Sequence, residues 1–98
     1  MNSDVIVSKD MIVGEIEYKG IEITRSDDAS FVINSGTYQV FDGDNNPLTE
    51  ILPATVSGNT VYGKVRTSDF IGKNHVDFTY YIDSEGIIKK ARLIYNVI

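Results

Sequence analysis

The C-terminal quarter of the chain decides the fold, and its residues 74–98 read NHVDFTYYIDSEGIIKKARLIYNVI. In residues 75–83, apolar and mostly polar positions alternate with a period of two, which is typical of a strand with one buried face. Residues 83–86, DSEG, supply turn residues, and a second alternating run follows them. The stretch therefore predicts a hairpin of two long strands. The positions predicted to face the core are Val76, Phe78, Tyr80, Ile82, Ile87, Ala91, Leu93, Tyr95 and Val97.

The N-terminal part of the chain predicts two more strands. Apolar residues alternate over residues 12–18, which places Tyr18 on the predicted inward side. The Lys-Gly pair at residues 19–20 interrupts the alternation, so we expect a kink or a tight turn there. Glu15 and Glu17 then share the solvent side of the first strand. Paired carboxylates can act as acid and base, but on the wet side of a strand they more often form a solvated face.

Shorter alternating runs fill the middle of the chain, and no segment has apolar residues at helical spacing over about ten positions. Residues 29–34, 37–41 and 61–66 predict strands, and turn-rich segments lie at 42–47 and 57–60. About seven or eight short strands in a chain of this length are typical of an antiparallel β-sandwich. We therefore predict an all-β, immunoglobulin-like sandwich, with a barrel of about five or six strands as the structural alternative.

The length of 98 residues predicts one domain, because a chain of this size has no material for a second core. We assign residues 1–10 to an N-terminal arm or edge strand, and residues 11–98 to a single immunoglobulin-like β-sandwich domain. The last strand stays apolar up to Ile98. Free ends are usually polar, so we expect this end to be covered by another subunit or to continue into a longer chain.

Composition argues against several classes of function. The formal net charge is −5, which disfavours nucleic-acid binding because phosphates attract a basic surface. The chain has no cysteine, so neither a disulfide framework nor a thiolate metal site is expected. No apolar run approaches the ~20 residues that a membrane helix needs, and no export signal is visible.

Two patterns resemble chemical sites. His75 and Asp77 are two residues apart and share a strand face, as members of a triad or two metal ligands would. Since no serine lies in a nucleophile-elbow pattern, we interpret them as a surface pair. Residues 42–46, DGDNN, resemble the start of a calcium loop, but Pro47 replaces the glycine that such a loop needs. We interpret this segment as a hydrogen-bonded turn, and we predict no catalytic, cofactor-binding or metal-binding residues.

Tyrosine is the most abundant aromatic residue, with six in the chain. Tyr62 alternates with Lys64 and Arg66 on the outward side of one predicted strand, and Tyr81 lies on the outward side of another. Exposed tyrosine beside basic residues is typical of a protein interface or of a platform on which a sugar stacks. We therefore predict an interface that carries Tyr62, Lys64, Arg66 and Tyr81.

The order of strands and turns also resembles that of a known family. Residues 21–28, IEITRSDD, lead into a strand, residues 40–48, VFDGDNNPL, contain the densest turn, and residues 61–66 precede the closing hairpin. In this order the chain resembles the N-terminal immunoglobulin-like module of phage baseplate upper proteins, and related small domains of phage and prophage tail proteins. The family has glycine in the turn where this chain has Asn46.

The resemblance implies a non-catalytic structural role without cofactors. The module would dock to other tail or baseplate subunits, or form a homo-oligomer, within the virion. The alternative is a carbohydrate-binding or adhesion module of a bacterial surface protein, since sandwiches carry many binding functions. An enzyme is not expected, because no combination of nucleophile, base or metal ligands stands out.

Overall fold

The computed structural model describes residues 4–23, 32–67, 71–82 and 86–98. Within these ranges the chain forms eight strands and no helix, which confirms the all-β prediction. Residues 29–31 of the strand predicted at 29–34, and residues 83–85 of the predicted C-terminal turn, lie outside the described residues. The strands are β1 (Asp4–Val7), β2 (Ile16–Glu22), β3 (Ser35–Phe41), β4 (Leu52–Pro53), β5 (Thr55–Ser57), β6 (Thr60–Arg66), β7 (Gly72–Ile82) and β8 (Ile87–Val97).

These strands form two sheets. The five-stranded sheet has the order β1-β8-β7-β3-β4, and the three-stranded sheet has the order β2-β6-β5. β7 and β8 have 11 residues each and pair antiparallel along their whole length, which confirms the predicted C-terminal hairpin. β1 runs parallel to β8 at the edge of the larger sheet.

The core lies between the sheets and is built from the side chains that alternate inward along each strand. β7 and β8 supply Phe78 and Tyr95, which have almost no exposed surface, and β6 supplies Val61 and Val65 from the smaller sheet. Full burial of a large apolar side chain stabilises the fold by about 1.5–3 kcal/mol. Burial of the side chains that alternate inward along the strands is thus the main source of stability.

The two sheets are in close contact where Tyr38 of β3 lies against the backbone of Gly63 in β6. A Cβ at position 63 would lie 2.3 Å from the nearest carbon of the Tyr38 ring. The Tyr38 hydroxyl donates a hydrogen bond of 2.9 Å to the carbonyl oxygen of Lys64. Glycine at position 63 therefore makes room for a tyrosine that spans the layer and joins the two sheets.

The predicted course of the chain around β2 is wrong. β2 is a single strand without a kink at residues 19–20, and its inward side is the opposite of the predicted one. Ile21 pairs with buried Val61 of β6, so Ile21 and Lys19 face inward while Tyr18 faces solvent. Because side chains alternate with a period of two, this register turns Ile16 and Tyr18 outward, while Ile21 is buried.

Lys19 tolerates its inward position because polar partners surround its ammonium group. The Nζ atom donates to Ser8 Oγ at 2.9 Å and to the carbonyl oxygen of Lys9 at 3.1 Å. It also lies 2.9 Å from Glu17 Oε1 and 5.6 Å from the centre of the Tyr95 ring. Lys19 is only 6% exposed. It thereby connects the segment after β1 to β2, and so connects the two sheets.

This arrangement also corrects the predicted face of paired glutamates. Glu17 is half-buried and forms the ion pair with Lys19. Glu15 lies before β2, where its Oε1 atom accepts a hydrogen bond from the backbone N–H of Ile12 at 2.6 Å. The two carboxylates therefore do not share a solvated strand face, and each has its own structural partner.

Candidate functional site

The outer side of the three-stranded sheet carries an exposed cluster that we call the basic-aromatic face, made of Ile16, Tyr18, Tyr62, Lys64 and Arg66. Pairing of β2 with β6 sets Ile16 opposite Arg66 and Tyr18 opposite Lys64. The rings of Tyr18 and Tyr62 meet edge to face with centroids 5.8 Å apart. The Nζ atom of Lys64 lies 5.7 Å from the centre of the Tyr18 ring. The face is therefore ordered by contacts among its own side chains.

Two large side chains of this face, Ile16 and Tyr18, are open to solvent. Ile16 is 57% exposed and Tyr18 is 64% exposed, although both belong to a strand of regular structure. Neither side chain contributes to the core between the sheets. Their contact area is thus available to a partner, and aromatic side chains and arginine are enriched at protein interfaces.

The structure brings together three of the four residues predicted to form an interface. Tyr62, Lys64 and Arg66 share the outer side of β6. Tyr81 lies on the outer side of β7, which belongs to the five-stranded sheet. The prediction did not include Tyr18, because the sequence pattern assigned it to the core. Ile21 could have indicated the correct face of Tyr18. Side chains alternate between the two faces of a strand, so Tyr18 points outward when Ile21 points inward.

The outer side of the five-stranded sheet holds the second candidate, the predicted pair of His75 and Asp77. The His75 ring stacks on the ring of Phe41, with centroids 4.9 Å apart and planes 17° from parallel. Asp77 accepts two hydrogen bonds from Arg92, of 2.8 Å from Nε and 3.1 Å from Nη2. His75 Nε2 is 3.9 Å from Asp77 Oδ2, beyond hydrogen-bond distance.

This geometry differs from that of a catalytic dyad. His75 is 8% exposed, whereas the sequence interpretation placed it partly in solvent. Both carboxylate oxygens of Asp77 are occupied by the guanidinium of Arg92, and the side-chain hydrogen bond to Asp77 raises the pKa of Arg92. Asp77 therefore orients Arg92, and Phe41 holds the His75 ring.

Burial lowers the pKa of His75, and the positive charge of Arg92 lowers it further, while Asp77 and Asp42 act in the opposite direction. His75 is therefore neutral at neutral pH. Because its pKa is lowered in the folded state, protonation favours the unfolded chain. His75 therefore does not reduce the stability of the fold at pH values above the ordinary histidine pKa of 6.5. Stability falls as the pH decreases below that value.

Two substitutions should move the pKa of His75 in opposite directions. Arg92→Gln removes the nearby positive charge, so the pKa of His75 should rise. Asp77→Asn removes the carboxylate that favours the charged imidazole, so the pKa should fall. An NMR titration of the single histidine measures both changes, with Lys64→Gln on the opposite sheet as the control. Shifts of the same sign in both variants would contradict this electrostatic account.

The acidic turn after β3 is closed by its own hydrogen bonds. Asp42 Oδ1 accepts from the backbone N–H groups of Asp44 and Asn46, each at 2.9 Å. Its Oδ2 atom accepts from Asn46 Nδ2 at 3.3 Å. These bonds, led by the backbone N–H of Asn46, lower the pKa of Asp42. Among the described residues, no group of three or more His, Cys, Asp or Glu side chains is placed to hold a metal ion.

Comparison with known proteins does not indicate a function for these surfaces. No protein-family model, no curated protein and no solved structure matches the chain. In the part of the chain that the structure describes, there is no helix that would reach across a lipid bilayer. The outer faces of the two sheets are therefore the candidate functional surfaces.

Proposed function

We propose that the chain is a non-catalytic assembly module that docks to protein through the basic-aromatic face. The observation that carries this proposal is the exposure of Tyr18, at 64%, within an ordered cluster with Tyr62 and Lys64. A solvated sheet face is normally polar. Here the strand instead presents two large apolar side chains, Ile16 and Tyr18, beside two cations.

Charge points to the chemistry of the partner. Two of the nine Lys and Arg residues lie side by side on β6, as Lys64 and Arg66, in a chain that has 14 Asp and Glu residues. A basic patch on an acidic molecule favours an acidic partner surface. A second copy of this chain is acidic overall, with a formal net charge of −5, and is the partner that we propose. Self-association through a patch that meets a different surface joins copies head to tail and builds rings or filaments, as an assembly module requires.

The strand order supports an immunoglobulin-like sandwich as the scaffold of this module. The immunoglobulin fold pairs strands A, B, E and D in one sheet and strands C, F and G in the other. With β2, β3, β5, β6, β7 and β8 as B to G, this chain pairs B-E-D and G-F-C. Its first strand, β1, lies beside strand G. The setting in a phage or prophage tail, and thus in a virion, is proposed from the sequence resemblance alone.

Substitution of Tyr18 should separate docking from folding. Tyr18→Ser removes an exposed ring, so the free energy of unfolding should change by less than about 1 kcal/mol. Self-association, measured by sedimentation equilibrium, should weaken about tenfold or more, as expected for an aromatic interface residue. Added salt should weaken the wild-type association too, because Lys64 and Arg66 contribute charge.

A matched control is Tyr81→Ser, which removes a tyrosine from the outer side of the other sheet. This variant should associate like the wild type. A wild-type chain that stays monomeric at every concentration, or a Tyr18→Ser variant that associates normally, would contradict docking through the basic-aromatic face. A large loss of stability in Tyr18→Ser would show instead that the ring serves the fold.

A further inference from the structure

The outer side of the five-stranded sheet contains a groove of about 600 Å³. Its floor is formed by outward side chains of β3, β7 and β8, including the short residues Thr37 and Thr79, which lie opposite each other. Val5 of β1 lines it on one side, and Ile51, just before β4, lines it on the other. Short side chains in the middle, with Val5 and Ile51 at the two edges, thus line the concavity, which is of the size that small-ligand sites have.

The strand register arranges the polar side chains of the groove in two rows across the sheet. One row contains Arg92, Asp77 and Gln39, and the next contains Lys90, Thr79 and Thr37. Each row crosses β8, β7 and β3 in that order. The two rows therefore present hydrogen-bonding groups at regular intervals on a surface about three strands wide, or roughly 10 Å.

Two planar groups in this groove are held in place before any ligand binds. Arg92 is fixed by the two hydrogen bonds from its Nε and Nη2 atoms to Asp77. The Gln39 side chain is oriented by a hydrogen bond of 3.1 Å from its Nε2 atom to the carbonyl oxygen of Thr49. Pre-oriented polar groups lose little conformational freedom on binding, so each hydrogen bond to a ligand retains more of its free energy.

The chemistry of these groups identifies a ligand class. The hydroxyls of Thr37 and Thr79 both donate and accept, as the hydroxyls of a sugar do. The Asp77 carboxylate in the middle of the groove repels an anion and neutralises the charge of Arg92, and one further cation, Lys90, lines the groove. Phe41, which also lines the groove and has one face of its ring covered by His75, adds an apolar side chain beside the polar rows.

We propose that this groove binds a neutral oligosaccharide. The site lies on the outer side of the five-stranded sheet, so it is separate from the basic-aromatic face of the three-stranded sheet and does not depend on docking there. Gln39 and the Arg92–Asp77 pair would bind the sugar hydroxyls at one row, and the two threonines at the other. A module with one face for protein and one for glycan would join an assembly to a polysaccharide surface.

An NMR titration of the full ¹⁵N-labelled chain tests this proposal with two neutral probes, cellopentaose and fully N-acetylated chitopentaose, and one anionic probe, pentagalacturonate. One of the neutral probes should shift the amide signals of Thr37, Gln39, Asp77 and Thr79, with a Kd near about 1 mM or tighter. Gln39→Ala should raise this Kd about fivefold to tenfold, because one hydrogen bond is lost. Thr79→Val, which keeps the shape of the side chain, should also weaken binding.

Tyr62→Ala is the matched control, since it lies on the other sheet and should leave the Kd unchanged. The proposal is overturned if neither neutral probe shifts the groove signals at about 10 mM. It is also overturned if pentagalacturonate binds more tightly than both neutral probes, or if the shifts occur on the basic-aromatic face and disappear in Tyr62→Ala.

Discussion

Gly63→Ala is expected to lower the free energy of unfolding by about 3 kcal/mol, the upper part of the range for overpacking a core. The new methyl carbon would lie 2.3 to 2.5 Å from three carbons of the Tyr38 ring. That ring is buried, and its hydroxyl is held by the carbonyl oxygen of Lys64, so it cannot move aside without losing both contacts. For a domain with a total stability of about 5–15 kcal/mol this is a large effect.

A double-mutant cycle with Tyr38→Leu identifies the cause. If the ring is the obstacle, Gly63→Ala should cost clearly less in the Tyr38→Leu background than in the wild type. Lys64→Ala, at the neighbouring outward position, is the control and should change stability by about 0.5 kcal/mol or less. Urea unfolding measures all four chains. An equal cost of Gly63→Ala in both backgrounds would show that the contact with Tyr38 is not the reason for this glycine.

Lys19→Ala is expected to have the second large effect, a loss of about 3 kcal/mol. The substitution leaves Ser8 Oγ and the Lys9 carbonyl without their shared donor, and it leaves the half-exposed Glu17 without its cation. It also removes the ammonium group that lies 5.6 Å from the centre of the Tyr95 ring. Lys19→Met keeps an aliphatic stem and removes the charge, so it should cost less than Lys19→Ala.

Amide hydrogen exchange can locate the part of the chain that Lys19 stabilises. The backbone N–H groups of Ser8 and Met11 donate to the carbonyl oxygens of Ile94 and Asn96, and these bonds hold the N-terminal segment along β8. In Lys19→Met these two amides should exchange faster, while the amides of the β7–β8 hairpin should change less. Uniform acceleration across the chain would contradict the interpretation that Lys19 anchors this segment.

The sequence predicted the fold best in the strands where apolar and polar residues alternate in step with buried and exposed positions. In β7 and β8 every position predicted to be inward is buried or half-buried in the structure. In β2 the same method was wrong, because it treated Lys19 as a break and used Ile16 and Tyr18 as the inward set. A buried lysine becomes acceptable only through partners supplied by the segment after β1, and contacts of that kind are not visible in a local pattern.

The residues of the candidate site could likewise be predicted only in part from the sequence. Alternation within β6 was sufficient to group Tyr62, Lys64 and Arg66 on one outer side. Alternation does not tell which sheet a strand joins, so Tyr81 was placed in the same interface although it belongs to the other sheet. The contact of Tyr18 with Tyr62 depends on the pairing of β2 with β6, which is tertiary information.

The most direct test of the central claim is a series of ¹H–¹⁵N NMR spectra of the wild-type chain at concentrations from about 1 mM to about 20 µM, a range that covers the affinities of weak interfaces. The amide signals of Ile16, Tyr18, Tyr62, Lys64 and Arg66 should move with concentration, together with signals of an acidic surface elsewhere on the chain. Spectra that do not change with concentration, or changes that leave the basic-aromatic face unaffected, would contradict its role as the docking surface.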